Sequence, residues 1–590
     1  MGFVFIFVEK IKKEREDLRN ILKKFRVIDY FIFAMIFGFI LTQTFFEMEL
    51  ISKVSELITA IQSQAEVSTL WKIGLKMIGI AALILTAIII VNTLANYLSN
   101  KIARDLRRDV FIKVNSFSAS EINKFSTASL ITRSTNDISQ IQRTLMTCMK
   151  MLFTAPCMAF FAIRKITLTN ITLTGVSIAY LVAMLVMLIT LIIIVVPKFG
   201  KLQKQTDRLN LVTRENLTGI RVVRAYNAEK YQEGKFAEAN NNLTKTQLFL
   251  NRIMSLMDPG LHLIMHLMTL TIYWVGAYLI RDSLTNYATI ATFGQYSMHV
   301  IMSFMFITLM FVMIPRGIVS IRRVNEILNT DVSIKDGEIE SSEAKGTIEF
   351  RNVSFSYPNA EEPVLENITF KAEKGETVAF IGSTGSGKST LINLVPRFYD
   401  VTSGQVLVDG IDVKAYKKEH LHDKIGYVPQ KANLFSGNVT SNMQLSKEDA
   451  TDEEIAKALE VAQCSFIEKL EDGYSQPVSQ GGKNFSGGQK QRLSIARAVV
   501  KNPEIFIFDD SFSALDFKTD KALRTALKKH TKEATILIVA QRINTIKDAD
   551  KIIVLDNGKM VGIGTHEELA KSNKVYKEIL SSQTKKGGDE

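Results

Sequence analysis

Eight consecutive residues, Gly382 Ser383 Thr384 Gly385 Ser386 Gly387 Lys388 Ser389, match the phosphate-binding pattern G-x-x-x-x-G-K-[ST] in full. In such a loop the glycines let successive backbone N–H groups turn onto the α- and β-phosphates of a nucleotide. Lys388 then reaches the β/γ oxygens, and the Ser389 hydroxyl is suited to ligate Mg²⁺. Asp509 closes the apolar run Ile505 Phe506 Ile507 Phe508, the position from which a carboxylate holds Mg²⁺ beside such a loop. Upstream of it, Ser486 Gly487 Gly488 Gln489 opens a helical stretch, and a helix start with free N–H groups is an anion site. Taken alone, Ser-Gly-Gly is an ordinary helix cap; its place shortly before the Asp509 strand gives it weight.

The phosphate loop needs a strand before it and a helix after it. Thr377 Val378 Ala379 Phe380 Ile381 supplies the first, and Thr390 Leu391 Ile392 Asn393 Leu394 the second. Further short strands are expected at 347–355, 405–408, 505–509, 535–539 and 551–555, with helical patterns between them. This half therefore reads as an α/β sheet with the phosphate loop at a strand's carboxyl end.

The first half is of another kind. Six apolar segments, at 28–46, 73–98, 145–163, 171–196, 257–280 and 289–314, each approach or exceed the roughly 20 residues that cross a bilayer. The formal charge of +12 sits largely at their flanks: Lys101, Arg104, Arg107, Arg108 and Lys113 follow the second segment, Lys198, Lys201, Lys204 and Arg208 the fourth, and Arg316, Arg322 and Arg323 the sixth. This is the positive-inside pattern of a membrane protein with both termini cytoplasmic, not the footprint of a nucleic-acid binder. Arg164 and Lys165, between the third and fourth segments, run against it. The two cytoplasmic connections, about 98–142 and 197–256, mix polar and apolar residues at helical spacing, so the spanning helices are expected to continue beyond the membrane. Gly2 to Val8 is apolar but has no basic region before it and no small-residue cleavage pattern after it, so it is not expected to act as a cleavable signal. The stretch 9–26, dense in Lys and Arg, reads as an interfacial helix or as a solvated charged one. Cys148, Cys157 and Cys464 form no disulfide framework, which suits a reduced, cytosol-facing second half. The domains expected are the interfacial helix at 1–27, the six-helix all-α transmembrane domain at 28–328, a polar, acidic linker at 329–345, the α/β P-loop nucleotide-binding domain at 346–582 and a disordered tail at 583–590.

Phosphate loop, Asn484 Phe485 Ser486 Gly487 Gly488 Gln489, the Asp509 strand and Ser513 Ala514 Leu515 Asp516, in this order, resemble an ABC transporter nucleotide-binding domain. With six spans ahead of them, the whole resembles a type IV, B-subfamily-like ABC exporter half-transporter. The resemblance implies that ATP and Mg²⁺ are the ligands: Tyr357 stacks on adenine, residues 382–389 and Thr390 hold the phosphates, and Gln430 joins Ser389 and Asp509 at the metal. It makes Ser513–Asp516 a D-loop between two sites, and likens 130–137 and 214–226 to exporter loop segments beside the coupling helices. It also implies a dimer, in which each ATP is held by one chain's phosphate loop and the other chain's Ser-Gly-Gly-Gln segment.

Two residues depart from the family pattern. Where the polarising Glu follows the strand aspartate, this chain has Asp510, and where the H-loop carries His, it has Gln541. Asp is one methylene shorter, which withdraws the carboxylate by about 1.5 Å, and misplacement of that order costs on the order of 10² in rate. Gln541 accepts and donates hydrogen bonds but cannot take up a proton. Val478 Ser479 Gln480 Gly481 Gly482 also departs from the form usual in homodimeric exporters. The pattern resembles the degenerate-site subunit of a heterodimeric bacterial multidrug exporter, binding ATP on its own loop and completing a second half-transporter's competent site. A homodimeric slow exporter, in which Asp510 still acts as a slow base, and an ATP-gated channel or regulatory membrane protein stay open beside it.

For the substrate, the polar residues inside the spans are the candidates: His262 and His266 on the fifth, Gln295, Tyr296 and His299 on the sixth. With Met254, Met257, Met265, Met268, Phe304 and Phe306 they suit a pliable cavity for hydrophobic drug- or lipid-like compounds, or equally plain helix packing.

Overall fold

The computed structural model describes residues 25–341, 346–358 and 360–584. They separate into two compact units, one made of residues up to Lys113 with Ala128–Thr330, the other of Val114–Thr127 with the residues from Asp331 on. The interfacial stretch, apart from its last two residues, and the tail beyond 584 lie outside the described residues.

The first unit is helical throughout: α1 (Val27–Gln62), α2 (Val67–Asn115), then, past the short α3 (Ala119–Phe125) of the other unit, α4 (Thr127–Thr132), α5 (Ile138–Thr167), α6 (Ile171–Thr218), α7 (Ile220–Ala225), α8 (Glu229–Ser255), α9 (Met257–Arg281) and α10 (Tyr287–Leu328). Among the described residues six helices are long and apolar enough to cross a membrane. Helices of 49 and 48 residues, as α2 and α6 are, rise about 70 Å. A hydrocarbon core is only about 30 Å thick, so each continues well past its apolar half, as its charged second half requires. Lys165, the basic exception, lies 3.6 Å from Glu49 on α1, which balances its charge locally. A π-helical turn, Arg133–Asp137, joins α4 to α5. Arg133 there donates to Glu326 at 2.7 Å and Asp137 accepts from Ser320 at 2.9 Å, both on α10.

The second unit carries β1 (Ile348–Phe355), β2 (Leu365–Ala372), β3 (Thr377–Gly382), α11 (Lys388–Ile392), β4 (Ser403–Val408), β5 (Ile411–Asp412), α12 (Lys418–Asp423), β6 (Ile425–Val428), β7 (Gly437–Asn438), α13 (Val439–Gln444), α14 (Asp452–Val461), β8 (Pro477–Val478), α15 (Gly487–Val500), β9 (Ile505–Asp509), α16 (Phe517–His530), β10 (Thr535–Val539), α17 (Ile543–Ile546), β11 (Lys551–Asp556), β12 (Lys559–Gly564), α18 (His566–Ser572) and α19 (Lys574–Thr584). The main sheet runs β12-β11-β3-β10-β9-β6, parallel from β11 to β6; an antiparallel sheet β2-β1-β4-β5 covers one side. Strand β9 is buried on both faces: Ile505 and Ile507 join one apolar cluster, Phe506 and Phe508 the other. A continuous apolar run is what a central parallel strand needs.

Residues 331–341, read as linker, are docked within this unit. Ile339 bridges to Tyr416, Lys418 N–H donates to Asp336 at 2.6 Å, and Ile334 is buried. The short helix α3 is held to the same stretch, where Glu121 accepts from Ser333 N–H at 3.2 Å while also closing the Ser118 capping box. Helix α19 continues to Thr584, so residues 583 and 584, read as tail, are helical.

Candidate nucleotide-binding site

Four neighbouring parallel strands deliver the site. In sheet order, β3 ends in the phosphate loop, β10 leads to Gln541, β9 ends in Asp509 and Asp510, and β6 leads to Gln430. Register fixes their level, since Val539 pairs with both Phe380 and Asp509. Carboxyl ends of parallel strands are where open α/β sheets bind ligands.

The loop's glycines are needed sterically. A Cβ on Gly382 would meet the Leu555 carbonyl oxygen at 2.1 Å, and Gly387, at φ +92°, would drive one into Leu365 at 2.7 Å. Lys388 is buried, and its ammonium folds onto the loop's own oxygens, 3.0 Å from Gly382 O, 2.6 Å from Ser383 O and 3.3 Å from Ser386 Oγ. Burial holds its pKa below the ordinary lysine value, and the charges of Asp510 and Asp509 pull the other way. Ser389 donates to Asp509 at 2.7 Å, which joins two of the three residues read as metal ligands.

Asp510 sits in the left-handed region at φ +47°, with its N–H on Val539 O at 3.0 Å and its carbonyl accepting from Ser513 Oγ at 2.9 Å. Its Oδ2 accepts from two amides, Gln541 Nε2 at 2.8 Å and Gln430 Nε2 at 3.3 Å. The two departures from the family pattern are thus bonded to each other. Burial raises the pKa of both aspartates. Asp510's charge raises that of Asp509 further, and hydrogen bonds from Ser389 to Asp509 and from Gln430 to Asp510 lower them.

Tyr357 reaches Thr390 with its hydroxyl at 3.0 Å and stands edge-on to Tyr399, ring centroids 5.2 Å apart. Asn123 on α3 donates to the Tyr399 hydroxyl at 3.4 Å, so α3 touches the aromatic corner of the site. Ser486 caps α15 in a reciprocal box with Gln489, and Gly487 has open space around it. Of the D-loop residues, Asp516 caps α16 through Thr519 N–H at 2.9 Å, while Ala514 and Leu515 lie against Gly488.

One residue went unread in the sequence. Gln583, near the end of α19, donates to Gln541 O at 2.8 Å and accepts from Ile543 N–H at 2.9 Å, bracing the loop that carries Gln541. A lone glutamine on the polar side of an amphipathic helix carries no signal that singles it out.

The residues read as substrate-lining are dispersed. His262 and His266 are exposed on α9 with ring centroids 6.2 Å apart, and no group of three or more metal-ligating side chains occurs among the described residues. Gln295 is exposed, whereas Tyr296 is buried in the helix core and donates to Met48 O at 3.3 Å. His299 is half-buried, and its Nδ1 has no hydrogen-bond partner among the described residues.

Residues 365–513 match the family described as ABC transporter, and residues 33–304 match the ABC transporter transmembrane region. An uncharacterized ABC transporter ATP-binding protein of Mycobacterium tuberculosis is 36% identical over 93% of this chain and 96% of its own length. The chain belongs to the ABC transporters. A Staphylococcus aureus protein named "Putative multidrug export ATP-binding/permease protein" is 34% identical over 83% of this chain and 85% of its own. The solved structure of a bacterial Atm1-family ABC exporter with ATP bound shares the fold, with TM-score 0.76 and 22% identity over 96% of this chain and 98% of that one. This ABC transporter carries one transmembrane and one ATP-binding domain in a single chain. It is an ATP-hydrolysing translocase of the membrane.

Proposed function

We propose that this chain is the degenerate-site half of a heterodimeric exporter of hydrophobic, drug- or lipid-like compounds, with both termini and the nucleotide-binding domain on the cytoplasmic side. The observation that carries this reading is the bond between Gln541 and Asp510. In a competent site the carboxylate polarises the attacking water and the H-loop side chain contacts the γ-phosphate. Here the carboxylate is a methylene short, and it accepts a hydrogen bond from the Gln541 amide. ATP is held through the phosphate loop, Lys388 and Tyr357, and turnover takes place on the partner's loop, completed by this chain's Ser486–Gln489. The membrane part alternates between inward- and outward-facing states as the ATP-binding domains close and part. The multidrug name of the S. aureus relative supports the hydrophobic substrate class.

Mg²⁺ suits the residues present. Ser389 and Asp509 offer hard oxygen donors side by side, and Gln430, whose Nε2 is engaged with Asp510, keeps its amide oxygen for a cation. The metal would supply charge neutralisation at the β- and γ-phosphates. Burial raises the pKa of Asp509, so its proton binds at higher pH than on an ordinary aspartate. Mg²⁺-dependent ATP binding should therefore weaken as pH falls, with a midpoint higher than an ordinary aspartate would give. Asp510→Asn removes the neighbouring charge and should move that midpoint down. Titrations of a fluorescent ATP analogue with and without Mg²⁺ across pH read both.

The reading is tested by purifying the chain alone. It should bind ATP and show no vanadate-sensitive hydrolysis until the partner half is added. Vanadate-sensitive turnover by the chain alone would establish the homodimeric slow exporter instead.

A further inference from the structure

On one face of the main sheet the helical layer leaves a cavity over buried strand side chains. Between α16 and α17 lies a cavity of about 420 Å³ whose floor is Phe508 of β9 and Ile536 and Ile538 of β10. The two isoleucines are each 8% exposed, whereas Leu537 and Val539, facing the other way on the same strand, are 0% and 2% exposed. All three floor side chains are buried, as side chains in the middle of a parallel sheet ordinarily are, and the cavity lies over them without laying them bare. Phe512 extends the apolar floor and Phe517, 68% exposed, stands at the mouth.

The lining is strongly cationic. Lys521 and Lys528 on α16 and Lys547 just after α17 face the cavity, and none of the three has an ion-pair partner among the described residues. Arg524, between the first two, is committed: it is forked onto Asp520 at 3.1 and 3.0 Å and donates to Thr545 O at 3.3 Å. Asp548 is the acid among the described residues that line the cavity. An aromatic and aliphatic floor ringed by free ammonium groups is complementary to one class of ligand, an organic anion with an apolar body. Its volume lies within the range of small-molecule sites. A solvated lysine face would explain the charges, but not the cavity between them and the apolar side chains of the sheet.

We propose that this cavity is a binding site for a soluble amphipathic organic anion, its apolar body against Phe508, Phe512 and Ile538 and its acid group between Lys521, Lys528 and Lys547. The site is separate from the phosphate loop and independent of where hydrolysis occurs. It is nonetheless connected to the nucleotide machinery, because α16 begins directly after Ser513–Asp516 and α17 two residues after Gln541.

The test uses the intact chain in phosphatidylcholine nanodiscs, with 8-anilinonaphthalene-1-sulfonate as fluorescent probe and dodecanoate as competitor. Probe binding should saturate, be displaced by dodecanoate and exceed that of empty discs. The Lys521→Gln/Lys528→Gln variant should weaken it by at least about tenfold, the scale of a lost charge-assisted contact. Thr525→Trp, which fills the cavity from its rim, should abolish it, and unchanged ATP binding in both variants verifies folding. The uncharged N-phenyl-1-naphthylamine should bind no differently to the lysine variant and the unaltered chain. Probe binding that does not saturate, or that neither variant changes, would overturn the proposal. So would a site that responds to phosphatidylglycerol in the disc but not to dodecanoate.

Discussion

Exchanging Asp510 for Glu and Gln541 for His together should raise hydrolysis at this chain's own phosphate loop by about 10²-fold, the scale on which an ångström of misplacement acts. Asp510 is not loosely placed. Its backbone is tied to Val539 and Ser513, and its Oδ2 is drawn toward Gln541 and Gln430. An added methylene extends the carboxylate by the length it lacks, and an imidazole at 541 supplies a side chain that can accept and carry a proton. Either change alone should give much less than the pair, because residues that act as a unit do not contribute additively. The measurement is single-turnover hydrolysis in a complex whose partner loop has been disabled at its lysine. No gain from the double exchange would mean that some other feature limits this site.

The second large effect runs in the other direction and concerns the partner's nucleotide. Gly487→Asp should lower steady-state ATPase of the complex by about 10²-fold or more, comparable to losing one electrostatic stabiliser of a transition state. This substitution separates function from folding. A Cβ at Gly487 meets nothing within 4 Å, and an acid in the first turn suits a helix start. The chain should therefore fold and bind ATP on its own loop as before. What changes is the sign of the charge at the amino end of α15, which in the proposed dimer faces the partner's γ-phosphate. Gly488 would be a poorer probe, since a Cβ there comes within 3.3 Å of Ala514 O and disturbs the D-loop. An undiminished rate would remove the α15 start from the partner's site.

Much of this arrangement was legible in the sequence because it is encoded locally. The strands expected at 505–509 and 535–539 are found as Ile505–Asp509 and Thr535–Val539, since continuous apolar runs bounded by polar residues leave little choice. The six apolar segments each fall within one long helix, for the same reason. Strands β2, β6 and β12 were not read: Leu365–Ala372 and Lys559–Gly564 alternate with polar residues at sheet margins, and Ile425–Val428 is too short to show a period. Sheet order was beyond local reading as well. That β10 lies between β3 and β9, and so brings Gln541 to Asp510, is a long-range fact. The docking of 331–341 rests largely on backbone groups, which leave no compositional trace, and the Lys165–Glu49 pair joins residues over a hundred positions apart. Tyr296, one of the polar residues expected inside a span, is buried among core side chains with its hydroxyl on a helix carbonyl.

The central claim is that chemistry runs on the partner's loop while this chain's loop holds nucleotide. The most direct measurement is the steady-state ATPase of the reconstituted complex carrying Asp510→Asn in this chain. Asn keeps the size of the side chain and removes its capacity to act as a base. The complex should keep its rate to within about twofold, a difference of well under 1 kcal/mol in barrier. The corresponding change in the partner should abolish activity. Collapse of the rate with Asp510→Asn would contradict the account and make this chain's own site the one that turns over.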